Sequence, residues 1–160
     1  MVKLTEEIIE AFKSTKVVPL ATASKNGITN VAPMGTLHLK DPETIWILDN
    51  FMLKTAANVA ENPHASIYLY GEGVKGCYQI KGDAKMETSG EDYEAAKKLF
   101  HEVNPNLPAK GLFVIKITEV FECKPGPDAG KKLIWNIKKI NFFLNHHKHP
   151  MKLKINIIPL

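Results

Sequence analysis

Apolar and polar residues alternate along much of this chain, which is the pattern of β-strands with one buried face. The alternation is clearest over 76–87, where Tyr78, Ile80 and Ala84 fall on one face and charged residues fall on the other. Five further β-rich segments are 17–22, 28–39, 44–50, 65–70 and 111–123. The pattern therefore predicts about six strands.

Three segments show the helical spacing of three and four residues instead: 4–14, 53–60 and 88–103. Thr88 and Glu91 have the spacing of a capping box, in which two side chains satisfy backbone N–H groups at a helix start. We expect the first helix near the N-terminus and the other two between strands.

The connections between the predicted strands are short, which decides how the strands pair. Asn26-Gly27, between 17–22 and 28–39, is a strong signal for a tight β-hairpin. Parallel strands would need long crossover connections, for which the spacing leaves no room. We therefore expect a mainly β fold with short helices, arranged as a small six-stranded antiparallel barrel.

The charge of the chain is unevenly distributed and rests entirely on lysine. All 21 basic residues are lysine, against 17 acidic residues. The segment 133–160 holds five lysines and no acid, so 16 lysines face 17 acids in the remainder. The net charge of +4 therefore belongs to the C-terminal segment, and we expect no nucleic-acid partner.

The sequence also bears on location and on the cysteines. No stretch approaches the ~18 apolar residues of a membrane span, and residues 1–10 carry acids where a secretory signal carries lysines. We therefore expect a cytoplasmic protein without a membrane span. Cys77 and Cys123 are far apart in sequence and lie in apolar strands, which favours buried free thiols over a disulfide or a redox pair.

The junction between the strand 44–50 and the helix 53–60 is the best candidate for ligand chemistry. Lys54 and Thr55 fall on the first helical turn, where backbone N–H groups are unpaired and the peptide dipole is positive. A phosphate group would fit there. The alternative is an ordinary strand–helix junction with a solvated lysine.

The segment 30–36 interrupts its own β pattern. Pro33 and Gly35 weaken strand pairing and expose backbone groups that a flat heterocycle can use. The alternative is a bulge that bends the strand around a barrel.

Familiar catalytic motifs are missing from the sequence. It contains no G-x-S-x-G and no P-loop, and the glycines of 71–76 join two strands rather than a strand and a helix. If the protein catalyses a reaction, a cofactor is expected to carry the chemistry.

The residues after 132 form a basic C-terminal extension of unknown role, which divides the chain into a domain at 1–132 and a tail at 133–160. Apolar residues of the tail have helical spacing from Leu133 onward, and such a helix can pack on its own domain, on a partner subunit or on a membrane surface. Its histidines, at 146, 147 and 149, lack carboxylate or thiolate neighbours, so we expect no functional metal site.

Several short motifs occur in order between about residues 17 and 132. They are Ala21-Thr22-Ala23, Asn30 to Gly35, Asp49-Asn50, Leu53-Lys54-Thr55, Asn58-Val59, Asn62-Pro63, and Gly76 to Ala84. As an ordered set they resemble the FMN-binding split-barrel family named after pyridoxamine 5′-phosphate oxidase. The resemblance is strongest to the small prokaryotic FMN-binding proteins and flavoredoxin-like reductases.

This resemblance implies a homodimer of six-stranded split barrels with FMN at the subunit interface. On the matching positions, Lys54 and Thr55 would hold the FMN phosphate. The residues that would line the isoalloxazine ring are Val31, Ala32, Pro33 and Met34. The further cofactor contacts implied are Asp49, Asn50, Leu53 and Gln79.

The absence of arginine separates this chain from the family's namesake, which uses arginines for cofactor and substrate phosphates. The leading hypothesis is an FMN-dependent oxidoreductase or electron carrier that works with a redox partner or a nicotinamide donor, and not a pyridoxamine-phosphate oxidase. The alternatives are a non-catalytic flavin-binding or storage module, and a split barrel that binds a deazaflavin or a haem-related ligand.

Overall fold

The computed structural model describes residues 2–134, which form one antiparallel sheet with three helices on its surface. The strands of this part of the chain are β1 Val18–Ala23, β2 Thr29–Met34, β3 Leu37–Asp41, β4 Thr44–Asp49, β5 His64–Leu69, β6 Tyr78–Glu87, β7 Gly111–Glu122 and β8 Lys132–Ile134. The helices are α1 Glu6–Ser14, α2 Lys54–Glu61 and α3 Glu91–Val103.

The strand order β2-β1-β5-β6-β7-β4-β3 places β2 and β3 at opposite edges of the sheet, with β8 paired to β7. Yet only Gly35 and Thr36 separate these two edge strands in sequence. Three peptide steps span at most about 11 Å, so the two edges must meet and the sheet must roll up. We call the line where they meet the seam. The predicted split barrel is confirmed, although the segment 28–39 forms two strands and the described part of the chain has eight strands rather than six.

The hydrophobic core fills the inside of this barrel. Alternate residues of β4 point inward, including Ile45 and Ile47, which are fully buried. The outward residue Trp46 is buried as well, because α3 covers this part of the sheet with Tyr93 and Ala96. β4 is therefore buried on both faces.

One bulge bends the longest strand pair. The register between β6 and β7 shifts at Lys81/Gly82. A Cβ atom on Gly82 would collide with the carbonyl oxygen of Lys116 and the side chain of Ile115. Only glycine therefore fits at this position of β6.

Two local predictions need correction. Thr88 does not cap α3: the helix begins after Gly90, whose φ of 106° suits glycine, and no side chain bonds to this helix end. Leu133 lies in β8 rather than on a helix, because this segment pairs with β7 as a strand. β8 therefore extends across the predicted domain boundary between 132 and 133. The rest of the tail, with its histidines, lies outside the described residues, and the domain boundary stays a prediction.

Both cysteines are free in the structure, but only Cys77 is buried, whereas Cys123 is half-buried.

Between residues 2 and 134, no helix is long and apolar enough to cross a membrane. The same part of the chain contains no cluster of side chains that would ligate a metal ion.

Candidate functional site

An open groove of about 370 Å³ runs along the seam. It lies where the end of β2, the two-residue link, the end of β4 and the first turn of α2 come together. Its lining residues are Asn30, Ala32, Pro33, Met34, Gly35, Thr36, Leu48, Asn50, Phe51, Met52, Leu53, Lys54 and Thr55.

The helix start at one end of the groove offers donors to an anion. The first bond of α2 that closes a helical turn runs from the N–H of Ala57 to the carbonyl of Leu53, so the N–H groups of Lys54, Thr55 and Ala56 have no partner within the helix. No side chain caps this end. Lys54 is exposed and has no salt-bridge partner among the described residues.

Lys54 is also the only charged residue among the described residues that line the groove. No carboxylate competes with a ligand for its ammonium group there. The groove therefore carries a positive charge at the end where the helix dipole is positive as well.

Thr55 is fixed beside Lys54 by a buried hydrogen bond. Its side chain is 3% exposed, and its Oγ1 accepts a hydrogen bond from Nδ2 of Asn30 at 3.2 Å. Because Asn30 uses a lone pair of the hydroxyl oxygen, the hydroxyl proton of Thr55 is left to donate to a ligand.

Asp49 shapes the turn that leads into α2. Its Oδ1 accepts a hydrogen bond from the backbone N–H of Met52 at 2.7 Å, and its carbonyl accepts one from the N–H of Lys110 at 2.8 Å. Asp49 is buried and does not line the groove. In the single chain it acts on the groove through the position of Met52.

Asn50 is held in the groove wall from two sides. Its Oδ1 accepts a hydrogen bond from the N–H of Ala109 at 3.1 Å, and its Nδ2 donates to Oγ1 of Thr36 at 3.4 Å. Ala109 has a φ of 47°, and its carbonyl accepts a hydrogen bond from the Tyr93 hydroxyl at 2.8 Å. Sequence reasoning missed Ala109 and Tyr93, because no local pattern signals contacts over such separations.

The opposite wall of the groove is the edge strand β2. A proline is tolerated at Pro33 because an edge strand has one side without ladder hydrogen bonds. The register between β1 and β2 is unbroken from Val18↔Met34 to Ala23↔Thr29. The segment 30–34 therefore has no bulge, and the interruption falls at Gly35 and Thr36.

The groove brings together most of the predicted site residues, namely Ala32, Pro33, Met34, Asn50, Leu53, Lys54 and Thr55. The structure places Val31, Asp49 and Gln79 outside its lining. Val31 is 65% exposed, and Gln79 lies on β6 opposite Tyr68 and Phe121. Asn30, Gly35 and Thr36 also line the groove and belong to the segment 30–36 that the sequence pattern singled out. Leu48, Phe51 and Met52 were not among the predicted site residues, although they lie next to predicted residues in the chain.

A second cavity of about 310 Å³ lies between α1 and the glycine-rich loop before β6, and we call it the α1 cavity. Its lining residues are Glu7, Glu10, Ala11, Ser14, Gly73 and Lys75. Glu7 also accepts a hydrogen bond from the Tyr78 hydroxyl at 2.8 Å. Burial, together with this bond and the nearby carboxylate, raises the pKa of Tyr78 to about 12.

The family model described as pyridoxamine 5′-phosphate oxidase matches residues 4–124 of this chain. The chain belongs to the pyridoxamine 5′-phosphate oxidase family. A relative of this chain, the uncharacterized protein MJ0282 of Methanocaldococcus jannaschii, is 42% identical over 134 residues, which cover 82% of this chain and 88% of the relative. All residues that line the groove lie within the range that the family model matches.

Solved structures of this family's fold agree with the barrel. HupZ of Group A Streptococcus is 26% identical, with a TM-score of 0.69 over 79% of this chain and 99% of its own. An FMN-binding protein from Syntrophomonas wolfei is 20% identical, with a TM-score of 0.60 over 70% and 80% of the two chains. HutZ, a haem storage protein from Vibrio cholerae, is 20% identical, with a TM-score of 0.59 over 75% and 94%. The last two likenesses concern the fold alone.

Proposed function

We propose that this protein binds FMN as a homodimer and acts as an oxidoreductase or electron carrier. The observation that carries the proposal is the groove, where an edge strand faces a helix start that bears Lys54 and Thr55. FMN, when bound, supplies one- and two-electron transfer. The described groove residues include no carboxylate, imidazole or thiol, and their proposed role is to bind and shield the cofactor.

The helix end of the groove would hold the phosphate. The unpaired N–H groups of the first turn, the ammonium group of Lys54 and the hydroxyl of Thr55 are all donors. A phosphate accepts several such bonds at once. Because the chain has no arginine, these donors replace the planar fork that arginine offers to phosphates elsewhere.

The other part of the groove would hold the isoalloxazine ring. Met34, Leu48 and Met52 supply apolar surface, which suits a flat aromatic ring. Pro33 has no N–H, so a hydrogen bond to the ring edge would come from the backbone of Ala32, Met34 or Gly35.

A second copy of the chain would close the groove, as the family resemblance implies. Phe51 and Leu53 lie at the groove and are 77% and 81% exposed, and an exposed apolar patch at a ligand groove is typical of an interaction surface. A partner subunit over them would exclude water from the ring. Val31 and Gln79, which lie outside the groove of the single chain, would reach FMN only at such an interface.

The proposal does not include the reaction of the family's namesake. The namesake uses arginines for cofactor and substrate phosphates, whereas this chain has no arginine. The reductant would be a nicotinamide donor or a reduced redox protein.

The first experiment measures the affinity of the purified full-length protein for FMN and for riboflavin by quenching of flavin fluorescence. We expect FMN to bind at least about tenfold more tightly, because riboflavin lacks the phosphate. A protein that is purified colourless and takes up neither flavin would overturn the proposal. Uptake of haem in a parallel titration, without uptake of FMN, would favour the haem-related alternative that the fold of HutZ suggests.

A second experiment separates an oxidoreductase from a storage module. The FMN complex is mixed with NADH or NADPH without oxygen, and bleaching of the flavin absorbance is followed. Reduction on the time scale of seconds to minutes supports an oxidoreductase. A flavin that neither nicotinamide nor a reduced ferredoxin reduces would indicate a binding module.

Light scattering with and without FMN gives the subunit number, and a monomer in both states would contradict the homodimer.

A further inference from the structure

The two cysteines of the chain lie directly opposite each other on neighbouring strands. Tyr78 pairs with Glu122 at the end of the β6–β7 ladder, and the next residues outward are Cys77 and Cys123. The backbone N–H of Cys123 donates to the carbonyl of Cys77 at 2.7 Å. The ladder therefore continues by one more pair, although 45 residues separate the cysteines in sequence.

Both cysteine side chains lie on the same face of the sheet. Side chains two positions apart on a strand share a face, so Cys77 lies with Gln79 and Cys123 lies with Phe121, which are themselves a cross-strand pair. The hydroxyl of Tyr68, which lies opposite Gln79 on β5, contacts Sγ of Cys77 at 2.8 Å. The two thiols therefore point to the same side.

The spacing of such a pair is compatible with a disulfide bond. The Cα atoms of a hydrogen-bonded antiparallel pair are about 5.5 Å apart, and disulfides span Cα distances of about 4.4 to 6.8 Å. The Cβ atoms of facing residues are about 4.5 to 5.5 Å apart, against about 3.5 to 4.5 Å in disulfides. The Cβ atoms of a hydrogen-bonded pair lie at the upper end of their range, so closing the bond would draw them together by about 1 to 2 Å and leave the bond under strain.

We propose that Cys77 and Cys123 form a reversible thiol–disulfide pair that closes by exchange with a low-molecular-weight disulfide. Cys123 is half-buried and Cys77 is 3% exposed, so a small disulfide reaches Cys123 first. Burial raises the pKa of the Cys123 thiol, so the exchange is slow near neutral pH and becomes faster as the pH rises. The thiolate of Cys123 attacks one sulfur of the small disulfide, which forms a mixed disulfide and releases one thiolate. The thiolate of Cys77 then attacks the sulfur of Cys123 and expels the second.

The exchange balances in atoms and electrons. The two cysteine thiols lose two protons and two electrons, and the small disulfide is reduced to two thiols that take up the protons. Because strained disulfides have more oxidising potentials than structural ones, an excess of small thiol reopens the bond. The closed form would join the loop before β6 to the loop after β7, where Gly130 already bonds to Glu122.

The test uses the full-length protein in oxidised glutathione, followed by acid quenching, denaturation and counting of thiols with a maleimide reagent. We expect a loss of both thiols, a monomeric chain on a non-reducing gel, and a linked Cys77–Cys123 peptide by mass spectrometry. Dithiothreitol should restore both thiols. Only two cysteines are present, so the count is unambiguous.

Two single variants test the order of the steps. Cys77→Ser should accumulate one glutathione on Cys123, whereas Cys123→Ser should keep its buried thiol free. A second small disulfide, 2-hydroxyethyl disulfide, is used if oxidised glutathione reacts with neither cysteine. The proposal is overturned if the wild-type protein keeps both thiols in both small disulfides, stops at a mixed disulfide on Cys123, or forms only disulfides between chains.

Discussion

The groove at the seam and the α1 cavity differ in charge far more than in size. Their volumes are about 370 and 310 Å³. The groove is lined by Lys54 without an acid, whereas the α1 cavity combines two glutamates with Lys75. Glu7 and Glu10 offset the charge of Lys75 in the α1 cavity, whereas Lys54 lies at a helix start and shares its groove with no carboxylate. Size therefore does not distinguish the proposed ligand site from the α1 cavity, whereas charge does.

The largest expected effect tests this contrast between the two lysines. Lys54→Ala should weaken FMN binding by about 1.5 to 3 kcal/mol, the range of a charge-assisted hydrogen bond. Lys75→Ala, from the α1 cavity, is the matched control and should leave FMN affinity unchanged. Riboflavin affinity should change little in either variant. Equal losses for FMN and riboflavin in Lys54→Ala would mean that this lysine does not contact the phosphate.

The next effect concerns the fixed hydroxyl in the groove. Thr55→Val removes the acceptor of the buried Asn30 amide, so the free energy of unfolding should fall by about 1 to 3 kcal/mol. Urea denaturation measures this loss. Thr55→Ser keeps the hydroxyl and should retain most of the stability. A serine variant as unstable as the valine variant would show that packing of the methyl group, rather than the hydrogen bond, is responsible.

A smaller effect on stability depends on pH and concerns Tyr78, whose hydroxyl bonds to Glu7 of the α1 cavity. The pKa of Tyr78 is raised from 10.0 to about 12, so the folded protein holds this proton more tightly than the unfolded chain. The resulting stability is present below about pH 10 and is lost as the pH rises through about 12. Over this window the wild-type protein should lose about 1 to 2 kcal/mol more than Tyr78→Phe.

Urea denaturation across this pH range checks the tyrosine prediction. Tyr70→Phe, which changes a tyrosine that is 66% exposed, should follow the wild-type curve. Parallel curves for the wild-type protein and Tyr78→Phe would contradict the assigned role of Tyr78.

The smallest effect concerns the exposed ion pair at the rim of the α1 cavity. Glu10 and Lys13 are 3.1 Å apart, with side chains that are 68% and 65% exposed. Because exposed ion pairs contribute little, Glu10→Ala should change the free energy of unfolding by less than about 0.5 kcal/mol. FMN affinity should not change. A measurable gain in FMN affinity would show that the α1 cavity affects ligand binding, which would contradict the separate roles assigned to the two cavities.

Local patterns predicted the elements of the fold well. The strand that became β4 and the helix that became α2 were placed to within a residue or two. An apolar run bounded by turn residues and the start of a helix are both signals that neighbouring residues carry. The division of the segment 28–39 into two strands at Gly35 and Thr36 was harder to predict from local patterns. It follows from the meeting of two sheet edges, which depends on strands far along the chain.

Contacts between residues that are far apart in the chain could not be predicted from the sequence. Asn50 and Ala109 meet through a hydrogen bond, and Cys77 and Cys123 meet through strand register. Neither pair has a sequence spacing that indicates contact. The residues of the groove itself lie close together between Asn30 and Thr55, which is why most of them could be predicted.

The two-residue link between β2 and β3 has a consequence for folding. The walls of the groove are neighbours in sequence, but the sheet that connects them passes through β5, β6 and β7 before it returns. Joining the two edges therefore demands that the long-range pairings be in place, and these are slow to form because of their loop-closure entropy. A ligand that bridges the groove can bind only the completed barrel, so its binding energy adds to the cooperative stability of the whole domain.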